Sequence, residues 1–288
     1  MTLKLSHLDK FYWDKITKGD LLKYYESISS VILPYLKNRP LVMHRFPEGI
    51  KGVHFYQKEG GENLPYFVKT TKFQHEERKI GYIVAQNKET LLYVANLGSI
   101  ELHVFNGSLP HLDKPDYMVF DLDPEAISFD AVVDTALVIH EILEELNLTS
   151  FCKTSGASGL HIYVPLKGKY RYPQVVSFAK LIAQAALQKL PKIISLERNP
   201  AKRQKKVYID VLQNNQTKMM VAAYSVRAKP GATVSTPLLW KEVKHGLDLR
   251  DFTIKTVPKR LKKGDLFKGV LGKGNDLKAA LKKLDRMV

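Results

Sequence analysis

Cysteine is nearly missing. One residue in 288, Cys152, leaves nothing for an internal disulfide to pair with. It lies in the apolar run "SFCKT" and reads as a buried strand thiol in a reducing compartment. Long hydrophobic runs are missing too. Nothing approaches the roughly 18 consecutive apolar residues of a membrane-spanning helix. The N-terminal "MTLKLSHLDKFYWDK" has no continuous apolar segment, which argues against a signal peptide. A soluble cytoplasmic protein is therefore expected, with no membrane partner. No Gly/Ser/Pro-rich linker and no internal repeat divides the chain, so a single domain over 1–288 is predicted.

Acidic charge is the remaining shortage. Asp and Glu number 29 against 45 Lys and Arg, a formal net charge of +16, and the pI is about 9.6. Such an excess favours a polyanion, nucleic acid above all, and with it a place near the nucleoid. The plainer alternative is a basic surface that only keeps the protein soluble.

The patterning is that of an α+β fold with a mainly antiparallel central sheet flanked by helices. Residues 1–40 are helical in their second half: Thr17 can cap, and "GDLLKYYESISSVILPYL" has helical apolar spacing until Pro34 interrupts it. From 41 to 120, "LVMHRF", "VHFYQ", "PYFVKT", "KIGYIVA", "TLLYVAN" and "IELHVF" read as short strands, and "YMVFDLD" as the next. An amphipathic helix follows over 128–146, with Ser128 as its cap. "SFCKTSGASGLHIYVPL" reads as two strands around a Gly/Ser turn, and Pro173 opens another helix. A basic loop (198–206), the strand "VYIDVL" and a basic helix over 276–286 complete the chain. The predicted layout is thus an N-terminal helical part (1–40), a core (41–270) and a basic C-terminal helix (271–288).

Three stretches carry chemistry. In "YMVFDLDP", Asp121 and Asp123 stand two apart at a strand end and so share a face. Paired carboxylates suit a hard divalent cation; solvent-facing aspartates before a Pro-containing turn are the alternative. In "TSGASGLHIYVPL", small residues can bring backbone N–H groups and hydroxyls to a phosphate, with His161 on the next strand. No Gly-Lys-Ser/Thr is present, so it is not a Walker loop, and an ordinary Gly-rich hairpin is the alternative. In "KVYIDVLQNN", Asp210 interrupts an apolar strand, where a carboxylate needs a metal or a cationic partner. Three strand-borne carboxylates could hold the ions of a two-metal phosphoryl-transfer site.

Taken in order, "FDLDP", "TSGASGLH", "VYIDVLQN" and "AYSVRAKPGATVSTP" resemble the polymerase family of prokaryotic non-homologous end joining, the ligase D polymerase-domain type within the archaeo-eukaryotic primases. The flanks "LDKFYW", "TKGDLLKYY" and "NRPLVMHRFPEGI" extend the resemblance over roughly residues 3–270. It implies a DNA-directed nucleotidyltransferase that fills gaps and extends primers, favours ribonucleotides and uses two divalent ions, Mg²⁺ or Mn²⁺. It further implies that Asp121, Asp123 and Asp210 hold those ions. Ser155, Gly156, His161 and Arg227 would bind the NTP or dNTP triphosphate, with His103 and Gln213 near the nucleotide or metals. Lys10 and Lys18 fall where the family grips the 5′-phosphate of gapped or 3′-overhanging DNA. Phe55 and Tyr56 match an aromatic pair set against the template base, and Arg45 and Arg203 match template or primer contacts. Strand periodicity alone would bury one of Phe55 and Tyr56, and without the resemblance the lysines and the 198–206 loop would be solvated charge. The implied partners are a Ku-like end binder and a DNA ligase. At 288 residues the chain has no room for ligase or nuclease parts, so a stand-alone polymerase or an excised domain is expected.

Two positions depart from the resemblance, which often has lysine where this chain has His44 and, in some relatives, where it has Ser158. Each loses a positive charge near the expected triphosphate, giving weaker nucleotide binding or compensation by Lys153 or Lys202. Two other classes compete. An Asp-nucleophile phosphatase also places Asp-x-Asp after a strand, but Pro124 follows where Thr or Val is usual. A metal-free nucleic-acid-binding module would share the basic surface without needing three strand carboxylates.

Overall fold

The computed structural model describes residues 3–75 and 78–284. In chain order the elements begin with β1 (Phe11–Trp13), β2 (Ile16–Thr17), α1 (Lys18–Ser27), α2 (Ser29–Leu36), β3 (Leu41–Arg45) and β4 (Phe55–Gln57). They continue with β5 (Lys69–His75), β6 (Arg78–Val84), α3 (Lys88–Asn96), β7 (Ser99–Phe105), β8 (Tyr117–Pro124) and α4 (Phe129–Glu145). Next come β9 (Phe151–Thr154), β10 (Leu160–Pro165), α5 (Tyr172–Lys189), β11 (Ile194–Ser195) and β12 (Val207–Asp210). The last are β13 (Met219–Val221), β14 (Pro237–Leu238), α6 (Val257–Arg260) and α7 (Leu277–Leu284).

These elements build two compact units. The first holds Met1–Pro110, Met219–Thr236 and Arg250–Asp265; the second holds His111–Lys218, Pro237–Leu249 and Leu266–Val288. Because the chain returns to each unit after leaving it, no single linker separates them, which is why the sequence reads as undivided. The first unit carries a sheet in the order β13-β7-β3-β6-β5, with β4 paired to β3. The second carries the order β11-β12-β8-β10-β9-β14. A separate two-stranded sheet joins β1 and β2. Among the described residues all strand pairings are antiparallel except β11 with β12, so the α+β, mainly antiparallel reading holds, with the strands shared between two large sheets and this small one.

Local signals account for most elements. Thr17 caps α1 in a box with Asp20, and Ser128 caps α4 by accepting from the Ala131 N–H. Three expectations fail. Pro34 does not end the N-terminal helix: the break falls at Ile28, and Pro34 sits inside α2, an eight-residue helix that forgoes one i−4 bond. "TLLYVAN" is not a strand but the body of α3, where the Asn87 side chain accepts from the Thr90 N–H and Thr90, Leu91, Val94 and Ala95 are buried at helical spacing. "PYFVKT" joins a strand only at Lys69, since the Val68 N–H closes a turn onto the Pro65 carbonyl. The basic C-terminal helix is present as α7, and the end expected to reach 286 lies outside the described residues. Among the described residues, no helix is long and apolar enough to cross a membrane.

In the second unit, β8 and β10 are central strands and almost wholly buried, as strands covered on both faces must be. Met118, Phe120 and Leu122 alternate with Val119, Asp121 and Asp123 along β8, so the carboxylates stand on one face and the fully buried trio on the other. Cys152 is buried in β9, where burial pushes its thiol up to about 12 and leaves it inert.

Candidate active site

The second unit's sheet sets four chain segments side by side. Lys153 on β9 pairs with His161 on β10, His161 with Asp121 on β8, and Asp121 with Asp210 on β12. Directly opposed residues project from the same face, so the four polar side chains form one row across the strands. The row is bonded as well as aligned. The fully buried Lys153 places Nζ 2.8 Å from His161 Nδ1, and His161 Nε2 lies 3.0 Å from Asp121 Oδ1. An ammonium can only donate, so Nδ1 accepts and the imidazole proton resides on Nε2, directed at the carboxylate. His161 thus links a buried cation to a buried anion.

Asp210 ends β12 rather than interrupting it. Its Oδ1 accepts from the Leu212 N–H at 2.9 Å and from the Tyr208 hydroxyl at 3.3 Å, while Gln213 Nε2 donates to Oδ2 at 3.2 Å. Burial, and then the charge of Asp121, raises the Asp210 carboxyl above its ordinary value. The following 3-10 turn, Val211–Asn214, is tied to β8 by the Asn214 amide. Its Oδ1 accepts from the Val119 N–H at 2.8 Å, and its Nδ2 donates to the Val119 carbonyl at 2.7 Å. Asn214 was not singled out in the sequence; the "QNN" following a strand was its one signal.

Between β9 and β10 the Ser155–Gly159 loop folds inward. Ser155 Oγ accepts from the N–H groups of Ala157, Ser158 and Gly159 at 3.0, 3.1 and 2.9 Å. Backbone donors expected to face a phosphate are thus turned onto Ser155. Gly156 has φ of +71°, and a Cβ at Gly159 would lie 2.0 Å from the Leu122 carbonyl oxygen. The glycines let the loop press against β8 between its two aspartates in sequence. Ser158 is exposed. Lys153, named above as a compensating charge, is committed to His161, whereas Lys202 is exposed on a short turn. Arg203 is not a freely solvated charge: its guanidinium lies 3.9 Å above the Tyr208 ring and donates to the Glu197 and Arg198 carbonyls.

The first unit holds the other assigned residues. Glu101 and His103 share a face of β7, and His44 on β3 is the direct partner of Glu101. Glu101 Oε2 lies 3.2 Å from His44 Nδ1 and 3.1 Å from His103 Nε2, and Oε1 accepts from the Ala228 N–H at 3.0 Å with Arg227 Nε 3.1 Å away. Burial opposes ionisation of Glu101, but the hydrogen bonds from His103 and His44 and the Arg227 charge outweigh it and hold the carboxyl far below the usual range. Burial, with Arg227 and His44, lowers His103, and Glu101 only partly offsets this. Among the described residues, His44, Glu101 and His103 are a cluster that could hold a metal ion. Glu101 was overlooked in the sequence, although the Glu-x-His spacing in "IELHVF" was its signal.

Phe55 and Tyr56 are both exposed, at 42% and 59%, so the expectation that one would be buried fails. The reason is that β4 has three residues and pairs only with β3, covering no core. Tyr56 stacks on His44 with ring centres 4.0 Å apart, and the Arg45 guanidinium lies 5.2 Å from the centre of the Phe55 ring. Lys10 is ion-paired with Glu48 on the surface. Lys18 is buried, donates to the Ser6 carbonyl at 2.8 Å, and is lowered by burial, Lys10 and Arg45.

A family model for the LigD primase-polymerase domain matches residues 17–267. The chain belongs to that family. LigD primase-polymerase domains are nucleotidyltransferases by class, and LigD proteins of known name align along most of this chain. The bifunctional non-homologous end joining protein LigD of Bacillus subtilis (strain 168) is 33% identical over 265 residues, 91% of this chain and 43% of that protein. The multifunctional LigD of Pseudomonas aeruginosa is 31% identical over 263 residues, 90% of this chain and 31% of that protein. The chain therefore spans less than half the length of these LigD relatives. The polymerase domain of Mycobacterium tuberculosis ligase D, solved in complex with DNA, superposes with a TM-score of 0.88 at 26% identity, covering 95% of this chain and 99% of that one.

Proposed function

We propose that this chain is a template-directed nucleotidyltransferase that extends a primer 3′-hydroxyl across gaps and bridged ends of broken DNA. The observation that carries this reading is the row of the second unit, in which the ladder sets Asp210 opposite Asp121 while Asp123 shares the face of Asp121. Three carboxylates from two adjacent strands are an oxygen-rich donor set. Burial first, and the facing Asp121 charge second, raise the Asp210 carboxyl, and a hard divalent ion between the carboxylates would offset both. The set therefore fits two such ions, Mg²⁺ or Mn²⁺, held by Asp121, Asp123 and Asp210. When bound, such ions activate the primer hydroxyl and balance charge on the nucleotide phosphates.

The protein's own groups do the rest in this reading. Lys153 and His161 hold the Asp121 carboxylate in place, and Gln213, Tyr208 and the Leu212 N–H hold that of Asp210. Ser155, Gly156, His161, His103 and Arg227 are assigned to the nucleotide on the strength of the family, and His161 can reach a phosphate only by exchanging its bond to Lys153 or Asp121. Lys10 and Lys18 take the 5′-phosphate, and Phe55 and Tyr56, with Arg45 and Arg203, meet the template and primer. Stacking on exposed aromatic rings tolerates any base and is worth about 1–3 kcal/mol per base. Ribonucleotides are the favoured substrate, a Ku-like end binder and a DNA ligase are the partners, and the cytoplasm is the setting.

Primer extension on a gapped duplex with a downstream 5′-phosphate tests this, with NTPs or dNTPs and Mg²⁺ or Mn²⁺ in turn. Extension that disappears in the Asp121→Ala/Asp123→Ala protein, and weakens without the 5′-phosphate, supports the reading. No extension with any ion, together with DNA binding that the double variant retains or strengthens, would leave a metal-free binding module. Phosphate release from a phosphomonoester in place of extension would point to the Asp-nucleophile phosphatase.

A further inference from the structure

The polar cluster of the first unit has the makings of a second cation site, made without Asp121, Asp123 or Asp210. We propose that His44, Glu101 and His103 bind a late first-row divalent ion of the Zn²⁺ class through His44 Nδ1, Glu101 Oε2 and His103 Nε2.

The spacing supports it. Metal bonds of about 2.0–2.2 Å to nitrogen and carboxylate oxygen separate neighbouring ligand atoms by about 3.0–3.5 Å in tetrahedral or octahedral coordination. The oxygen here lies 3.2 Å from one imidazole nitrogen and 3.1 Å from the other, and all three atoms are within 4.8 Å of one another. The ligands sit on paired strands rather than loops, so little reorganisation is needed: Glu101 and His103 are i and i+2 on β7, and His44 is the ladder partner of Glu101. Burial is deep but incomplete. The side chains of Glu101, His44 and His103 are 4%, 9% and 15% exposed, which excludes bulk water yet leaves an approach beside His103.

Outer-shell partners are in place for His44 and Glu101. With Nδ1 on the ion, the His44 proton resides on Nε2, and His54 Nδ1, 3.0 Å away, accepts it. Glu101 Oε1 is held by the Ala228 N–H, so the carboxylate cannot swing away from the two histidines. Tyr56 lies flat on the His44 ring and fixes its plane. Two nitrogens and one oxygen favour Zn²⁺ and its first-row neighbours over Mg²⁺, which prefers oxygen alone. Arg227, beside Oε1, repels a cation; the occupied site would carry excess positive charge that an anionic fourth ligand balances.

The test is a Zn²⁺ titration by calorimetry on the full chain carrying Asp121→Ala/Asp123→Ala, which removes the carboxylate set and makes the outcome independent of the polymerase reading. One equivalent should bind. Adding His44→Phe or His103→Phe should weaken binding by more than about 100-fold, and His54→Phe by about 10–100-fold, as expected for ligands and for an outer partner. In case the combined variants do not fold, Co²⁺ added to the unsubstituted protein should give the visible absorption of a nitrogen-ligated ion. Binding that is absent, binding unchanged by His44→Phe and His103→Phe, or a Co²⁺ spectrum of oxygen ligands alone would overturn the proposal.

Discussion

Asp210 stands directly across the β-ladder from Asp121, and burial together with that facing charge raises its carboxyl. A raised carboxyl means that the folded chain binds this proton more tightly than the unfolded chain. Its contribution to stability is therefore largest at acid pH and declines as pH rises from the ordinary aspartate range through the raised value. Thermal denaturation of metal-free protein should show this decline, and Asp210→Asn should flatten it. The variant should gain roughly 1 kcal/mol at neutral pH, the size of a like-charge pair across a ladder, while losing primer extension. A variant less stable than the parent at neutral pH would contradict the account.

Lys153→Met keeps the length of the side chain and removes its charge. It leaves the His161 Nδ1 acceptor without this donor and Asp121 without the linked cation. Breaking a buried charged network from one side costs about 3–5 kcal/mol, so the urea midpoint should fall markedly. Extension should drop even where circular dichroism reports folded protein. A loss of stability below about 1 kcal/mol would mean that the ammonium contributes little.

Gly159→Ala sets a methyl group against the Leu122 carbonyl at the end of β8. The loop or the strand must shift, at a cost of about 1–3 kcal/mol. Because Leu122 lies between Asp121 and Asp123, divalent-ion affinity should fall with stability. Mn²⁺ titration beside a melting curve checks both, and unchanged Mn²⁺ affinity would show that the loop does not position the carboxylates.

Asn214→Ala removes two hydrogen bonds to the Val119 backbone and leaves that buried N–H and carbonyl without them. A loss of about 2–4 kcal/mol is expected, from about 1–3 kcal/mol per unsatisfied group, softened by relaxation. The Asp210 side of the site should suffer with it, which a comparison of extension rates at a temperature where the variant stays folded would reveal.

Lys10→Ala and Lys18→Ala should each lower the preference for gapped DNA with a 5′-phosphate over 5′-hydroxyl DNA. Losing both phosphate contacts should flatten the slope of log affinity against log salt by about 1.4–1.8. Equal losses on both DNAs would assign the lysines to general backbone contact instead.

The residues of the acidic site were legible in the sequence because their signals are local. Asp121 and Asp123 are two apart on one strand, the small residues at 155–159 announce a tight turn, and Asp210 stands out against apolar neighbours. Helix caps at Thr17 and Ser128 were legible for the same reason. Where local signals conflicted, reading failed: the aromatic and β-branched content of "TLLYVAN" suggests a strand, but the Asn87 cap and an i, i+4 buried face make it helical. Exposure of both Phe55 and Tyr56 was likewise hidden, since alternation predicts burial only for a strand that covers a core.

By itself, then, the amino-acid sequence determined the family, the α+β class, the excess of basic charge and the placement of Asp121 and Asp123 on one strand face. Tertiary structure alone decided that Lys153 is buried against His161, that Asp210 faces Asp121, and that His44 joins Glu101 and His103. Those relationships are set by the register in which distant strands pair. Register follows from how whole faces pack and cover one another, and not from the spacing within any one segment.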